Sequence, residues 1–280
     1  MKKFFRGLIV VAVMLSLFTV PVSADMGPKP SVTIILKNAP EKTYYMALLS
    51  KTDHYGPWSV VDESEIDTND QSLENQAFVF FATYKDKDGY CFIHNMSKEM
   101  KGSGEYSWSY YPPEEFKLAV YCPEDGSFYL SEATKREAFY SYFNAEFSGK
   151  TLTLKEEARV MPYIINFVIR MVATLLVELF IAYLMGYRAR KEIKTIIIVN
   201  IITQTLLNVF LIFFDYYTGG MVGVFLLPIG ELFVFITELI IYLIAFSKNH
   251  KKGKTILYTL IANILSGGLT LIAGIATMIH

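Results

Sequence analysis

ELFVFITELIIY, residues 231–242, decides how this chain is read. Ten of the twelve residues suit the interior of a bilayer, and the other two are glutamates, Glu231 and Glu238, seven positions apart. Seven residues are close to two helical turns, so both carboxylates project from nearly one face of a helix. An ionised side chain at the centre of a membrane helix costs about 2.5–3.5 kcal/mol on insertion scales. The segment is therefore expected to cross a membrane with its carboxylates turned away from lipid.

Working outward, four runs reach spanning length: residues 160–184, 195–214, 222–246 and 255–279. Each is near or above the roughly 20 apolar residues that a crossing needs. Only helices cross singly, because every backbone N–H and C=O must find a partner without water. The connecting loops set the direction. GYRARKEIK carries Arg188, Arg190, Lys191 and Lys194, and SKNHKKGK carries Lys248, Lys251, Lys252 and Lys254, whereas DYYTGG holds only Asp215. Basic loops favour the cytoplasmic side, so the first and third face inward and the second outward. Tyr163, Phe213, Tyr216 and Tyr217 are expected in the outer aromatic belt, and Tyr183, Tyr187, Tyr242 and Tyr258 in the inner one.

The amino-terminal end agrees with that direction. Residues 1–24 have a positive start (MKKFFRG), an apolar run (LIVVAVMLSLFTV) and a small-residue cleavage motif (VSA), the pattern of a secretory signal peptide. An uncleaved anchor is the alternative. Residues 25–158 then form an extracytoplasmic domain, and residues 159–280 the membrane domain with its carboxyl terminus, His280, outside. The charge balance divides in the same place: 20 acidic against 13 basic residues between Asp25 and Lys155, and apolar runs with two basic clusters beyond.

Polar residues inside the spans group by depth. At about 1.5 Å rise per residue, Glu178, Gln204, Glu238 and Asn263 lie roughly 10–13 Å from the inner ends, with Asn200 and Thr203 slightly nearer that surface. Arg170, Asn208 and Glu231 lie higher, at roughly 20–24 Å. Asn200, Gln204 and Asn208 form one helical stripe, as do Arg170, Thr174 and Glu178; Ala262, Ser266, Thr270 and Gly274 make a small-residue ladder suited to close helix contact. Four ionisable groups facing lipid would cost on the order of 10 kcal/mol, so they are expected to converge. Arg170 and Glu231 are expected to pair, leaving Glu178 and Glu238 as a carboxylate pair. That pair has two readings: a site that holds a proton, binds a cation or grips a cationic solute, or a hydrogen-bonded element that fixes helix order and mediates self-association.

The external part reads as short strands separated by turns. SVTIILK, TYYMALLS, AFVFFATY, GYCFIHN, EFKLAVYC, SFYLS and FYSYFNAEF are rich in β-branched and aromatic residues, and NAPEK, KDKDG, YYPPEE and PEDG separate them. They suggest a β-sandwich, with an immunoglobulin-like shape as first guess. SEATKREA is expected to form one or two helical turns, and residues 62–70 a loop. Cys91 and Cys122 are candidates for a disulfide, with buried free thiols as the alternative. KDKDG reads as a hairpin turn, because a calcium loop needs more oxygen ligands. Asn95-Met96-Ser97 matches the short glycosylation pattern, and Trp58 and Trp108 either cap the sandwich core or offer a contact surface. His54, His94, His250 and His280 lie outside the apolar runs, and no metal-ligand spacing, nucleophile–base motif or phosphate-cradling loop is found, so no catalytic residue, metal or cofactor is assigned.

DMGPKPSV, YYPPEEFKLAVYCPE, ELFIAYLMGYRARKEIKTIIIVNIITQTLLNVFL and ELFVFITELIIY resemble an uncharacterised family of membrane proteins from clostridia and related Firmicutes. The resemblance implies a secreted domain followed by four membrane helices in a single-membrane bacterium. That family carries no assigned activity, so no catalytic role is implied. Many such organisms are anaerobic, which weighs against the disulfide. Three functions are expected as alternatives: an extracytoplasmic sensing domain coupled to a polar bundle, a small proton- or cation-coupled transport component using Glu178 and Glu238, and an accessory subunit of a larger membrane complex. The expected partners are the lipid bilayer and other membrane proteins or a second copy of this chain, and not nucleic acid.

Overall fold

The computed structural model describes residues 27–278 except 68 and 150. The signal peptide expected over residues 1–24 and the terminus at His280 lie outside the described residues, as do the side chains of Thr270 and Gly274. Two bodies follow one another along the chain.

The first is built from strands β1 (Ser31–Lys37), β2 (Thr43–Ser50), β3 (His54–Tyr55), β4 (Trp58–Ser59), β5 (Cys91–Met96), β6 (Met100–Lys101), β7 (Gly104–Ser109), β8 (Glu115–Cys122), β9 (Ser127–Leu130), β10 (Thr134–Lys135), β11 (Tyr140–Ser148) and β12 (Thr151–Glu156). One sheet has the order β12-β11-β1-β7, in which β1 runs parallel to β11 and antiparallel to β7. The other has the order β10-β8-β2-β5, with β6 also on β2 and β9 also on β8. Alternate residues of both sheets meet in one core: Val32, Ile34 and Leu36 from β1, Met46 and Leu48 from β2, Trp108 from β7, Leu118 and Val120 from β8, and Phe143 from β11.

All eight residues of β2 are buried, which is the burial of a strand covered on both faces. Its second face, Tyr45, Ala47 and Leu49, packs with Ala119 and Phe92 beneath helix α1 (Leu73–Thr83). That helix corrects the sequence reading, which took AFVFFATY for a strand. Ser72 caps it by accepting from the Asn75 amide at 3.2 Å, and Ala77 and Phe81 face the sheet. Phe80 stacks on Tyr121 with ring centroids 3.8 Å apart. Strand propensity in the phenylalanines yields here to an uncovered apolar sheet face. SEATKREA also differs: residues Thr134–Lys135 add a short strand, and no helix forms there. Beyond the expected strands, β7 and β12 complete the first sheet.

Cys91 and Cys122 are free thiols. The register explains why: both flanking strands pair with β2, but Cys91 lies opposite Ser50 and Cys122 follows Tyr121, which lies opposite Tyr45, near the other end. Several residues of extended strand separate them, far beyond the roughly 7 Å limit for a bridge. Burial pushes the Cys122 thiol up to about 11. Trp108 belongs to the core and donates to the Asn95 carbonyl at 3.1 Å, whereas Trp58 is half-buried and donates to the Tyr110 carbonyl at 2.9 Å. Asn95 is itself buried, a poor place for a glycan.

The second body comprises four helices: α2 (Met161–Leu184), α3 (Arg190–Thr218), α4 (Gly220–Ala245) and α5 (Lys252–Met278). Among the described residues, α2, α3 and α4 are long and apolar enough to cross a membrane. Their outer faces are apolar and bare, with Leu176, Leu206, Phe233 and Ile244 each more than 60% exposed. Such a surface is consistent with a membrane protein. The helix α3 runs further at both ends than its apolar core of residues 195–214, and at its first turn Glu192 accepts from the Ala189 amide at 3.2 Å and so caps the basic start.

Candidate functional site

Buried polar side chains fill the interior of the helical body. On α2, Thr174 and Glu178 are buried; on α3, Asn200, Thr203, Gln204 and Asn208; on α4, Glu238; and on α5, Thr259 and Ser266, with Asn263 partly buried. The helical repeat does this directly, since residues four apart share a face and α3 presents its polar stripe inward.

Toward the end of the helical body that carries the basic loops, the residues form a connected network. The Asn200 amide donates to Glu178 Oε2 at 2.6 Å and to the Tyr242 hydroxyl at 3.0 Å. Thr203 Oγ1 donates to Glu238 Oε1 at 2.8 Å, and Asn263 Nδ2 to Glu238 Oε2 at 2.9 Å. Glu178 and Glu238 are thus held from neighbouring helices, each within electrostatic reach of the other. Glu238 has a donor on each oxygen; Glu178 has one on Oε2 alone, and its buried Oε1 has none.

The outer layer differs from expectation. No hydrogen bond or ion pair joins Arg170 to Glu231; the guanidinium Nε and Nη2 and the carboxylate Oε1 are buried without a hydrogen-bond partner. The two charges interact electrostatically without an ion pair between them. Gln204, placed by depth with the inner pair, approaches Glu231 instead. Asn208 donates to the Gln204 carbonyl at 2.7 Å. A Cβ at Gly267 would stand 3.6 Å from the Glu231 carboxyl carbon, so α5 lies close against this carboxylate.

Three tyrosines expected in the inner belt are interior groups. Tyr187, Tyr242 and Tyr258 are fully buried; Tyr187 donates to Thr255 at 3.1 Å, and Tyr183 alone of that set is exposed. Interfacial depth gave no sign of this, but their hydroxyls match the polar stripe that they join. A second group also escaped sequence reading. At the loops below them, Glu192 Oε1 lies 2.9 Å from His250 Nε2 and accepts from Asn249 at 3.2 Å, while Lys254 lies 3.1 Å from His250 Nδ1. The ends of α3 and α5 are tied together through the loop after α4.

At the other end the two bodies meet. The Phe139 amide donates to the Tyr216 carbonyl at 2.8 Å, and the Phe139 carbonyl accepts from Ser31 of β1 at 3.0 Å. The ring covers Gly219, the turn between α3 and α4, where φ is +73° and a Cβ would lie 2.7 Å from Phe139 Cε1. Glycine is required there on both counts. Beside this contact a recess of about 210 Å³ is lined by Tyr140, Tyr142, Arg159, Tyr163 and Tyr216, with Arg159 stacked 3.9 Å over Tyr142.

Aspartates 86 and 88, in the stretch that resembled part of a calcium loop, hold a different cation. Lys117 donates to Asp86 at 2.9 Å and to Asp88 at 2.6 Å. The turn joins α1 to β5 rather than two strands of a hairpin. Among the described residues no group of three or more His, Cys, Asp and Glu side chains is placed to hold a metal ion.

No protein-family model and no curated protein matches the chain. Among solved structures, the crystal structure of the T6SS lipoprotein TssJ1 from Pseudomonas aeruginosa is similar over 47% of this chain and 98% of that chain, at 5% sequence identity and a TM-score of 0.25; a likeness that low carries no argument.

Proposed function

We propose that this is a multi-pass protein of the cell membrane whose external β-domain senses or binds something outside and biases a polar bundle of four crossings. The Phe139 contact carries the reading: one residue links β1 to the turn that joins α3 to α4. Those two helices supply Asn200, Thr203 and Glu238 to the buried network. A displacement of the domain would therefore press on the pair of helices that carries most of the network. The recess beside Phe139 is where a ligand would act on both bodies.

The finer topology belongs to the same proposal. The domain and the carboxyl terminus lie outside, the basic loops lie inside, α5 is the fourth crossing, and residues 1–24 are a cleaved leader. The basic residues of the first and third loops and the apolar length of α5 support this. An immunoglobulin-like assignment rests on two packed sheets; the parallel β1–β11 pair and the helix over the second sheet stand against it.

Both tryptophans lie in the β-domain, so their fluorescence reports its melting alone, while ellipticity at 222 nm is dominated by the helices. With coupling, Glu238→Gln shifts the tryptophan melt in the native chain and leaves it unmoved in Gly219→Val. A tryptophan melt indifferent to Glu238→Gln in the native chain would sink the coupling.

A second reading, a small proton- or cation-coupled transport component, is favoured by one observation: Glu178 and Glu238 are both buried and within electrostatic reach of each other, with no salt bridge to a cation among the described residues. It expects loss of flux in Glu238→Gln without loss of fold, measured in proteoliposomes.

A further inference from the structure

The unsatisfied oxygens of the inner network do not scatter. Among the described residues, three of them are Glu178 Oε1 on α2, Asn200 Oδ1 on α3 and the Tyr258 hydroxyl on α5, all buried and without a hydrogen-bond partner. Their residues are 1%, 0% and 0% exposed. They share one layer: Asn200 bonds both Glu178 and Tyr242, and the Tyr242 and Tyr258 rings lie 5.8 Å apart. Asn200 Nδ2 donates to Glu178 Oε2 and to the Tyr242 hydroxyl, which leaves its carbonyl oxygen over.

A buried polar atom left unpaired costs about 1–3 kcal/mol, and more when charged. Three together in a native interior call for an occupant. With Glu178 ionised, its Oε1 and Asn200 Oδ1 are both acceptors, so neither can satisfy the other and only a donor or a cation can serve both. The layer is also short of positive charge. Arg170 stands in the layer above, toward Glu231, and reaches neither inner carboxylate.

We propose that Glu178 Oε1, Asn200 Oδ1 and the Tyr258 hydroxyl form a binding site for a small monovalent cation. One free carboxylate oxygen with two neutral oxygens balances a single charge. A divalent ion is a poor match, because calcium takes six to eight oxygens and both oxygens of Glu238 are already engaged by Thr203 and Asn263. Glu238, already bonded to Thr203 and Asn263, stands beside the site, and Asn200 holds the other oxygen of Glu178. The inference deepens the transport reading but does not depend on it: an ion that binds and never crosses would occupy the site equally.

The test uses the purified full chain in mild detergent and radioactive sodium as the probe, with choline replacing sodium at matched ionic strength. Saturable binding is expected. Glu178→Gln should weaken it by about tenfold or more and Tyr258→Phe by about threefold or more, whereas Glu231→Gln in the outer layer should leave it near native. Tyr258→Phe removes one atom from an aromatic site, so it keeps the test open if Glu178→Gln fails to fold. Absence of saturable sodium binding, or binding as strong as native in both Glu178→Gln and Tyr258→Phe, overturns the site and assigns the unsatisfied oxygens to water or a proton. Sodium binding without flux in proteoliposomes would retain the site and remove only the transport reading.

Discussion

The β-domain and the helical bundle each bury a positive charge, and they treat it in opposite ways. Lys117 is held at 2.9 and 2.6 Å by two aspartates, with its side chain 3% exposed and that of Asp86 1% exposed. Arg170 keeps two nitrogens without a partner and sees Glu231 only across a gap. A domain that folds in water can close its charges locally, since a turn is free to bring carboxylates to a strand. A bundle can meet such needs only at the depth and face that its helices allow. The difference separates a charge spent on holding a fold from charges left available for binding.

Lys117→Met should break that contrast hardest. It strands Asp86 and should cost the domain about 3–5 kcal/mol in urea unfolding followed by tryptophan emission. A loss below about 1 kcal/mol would mean that Asp86 is not held as closely as the distances indicate.

Acid should come next. Burial by itself would push Asp86 up, but hydrogen bonds from Lys117 and from the Asp88 and Tyr90 amides outweigh it and hold the carboxyl below its ordinary range. For Lys117, burial pushes down and the two aspartates outweigh it, so the ammonium is held above its ordinary range. The aspartate's contribution is therefore complete above the ordinary carboxylate value of about 4 and is lost as pH falls through the depressed one. The lysine's share is complete below about 10.4 and fades as pH rises through the elevated value. Native tryptophan melts should fall in acid from below about pH 4, whereas Lys117→Met should fall less or gain.

Arg170→Met sharpens the comparison from the other side. Replacing a poorly satisfied buried charge with an apolar chain of similar length should change the helical melt at 222 nm by less than about 1 kcal/mol, or raise it. A cost like that of Lys117→Met would show that Arg170 is closely paired in the membrane. The smallest effect is expected from reductant. With both thiols free, dithiothreitol should leave the tryptophan melt unmoved, and denatured protein should titrate as two thiols.

Much of this architecture is legible in residue order. EFKLAVYC falls on β8 and TYYMALLS on β2 residue for residue, because a strand declares itself through β-branched and aromatic side chains bounded by turns. Three of the four apolar runs fall on helices long and apolar enough to cross a membrane. Glu178, Glu238, Asn200 and Thr203, grouped by the helical rise, are buried in one hydrogen-bonded group. What stayed hidden depended on partners distant in sequence. AFVFFATY became a helix because a sheet face elsewhere required cover. Tyr242 and Tyr258 sat at interfacial depth and turned inward, a matter of rotation that depth does not encode. Arg170 and Glu231, expected at one level, form no ion pair, since equal height along the sequence leaves the lateral gap between helices open. The free Cys91 and Cys122 follow from strand order, which spacing cannot reveal.

The parallel pairing of β1 with β11 governs how the protein can be made. The opening strand has to wait, one backbone edge uncapped, until residues up to Ser148 have emerged, and α2 starts soon after, at Met161. Closure of the sandwich is thus timed to the arrival of α2 during biosynthesis. A stalled or shortened nascent chain would display a sticky β-edge to quality-control proteases.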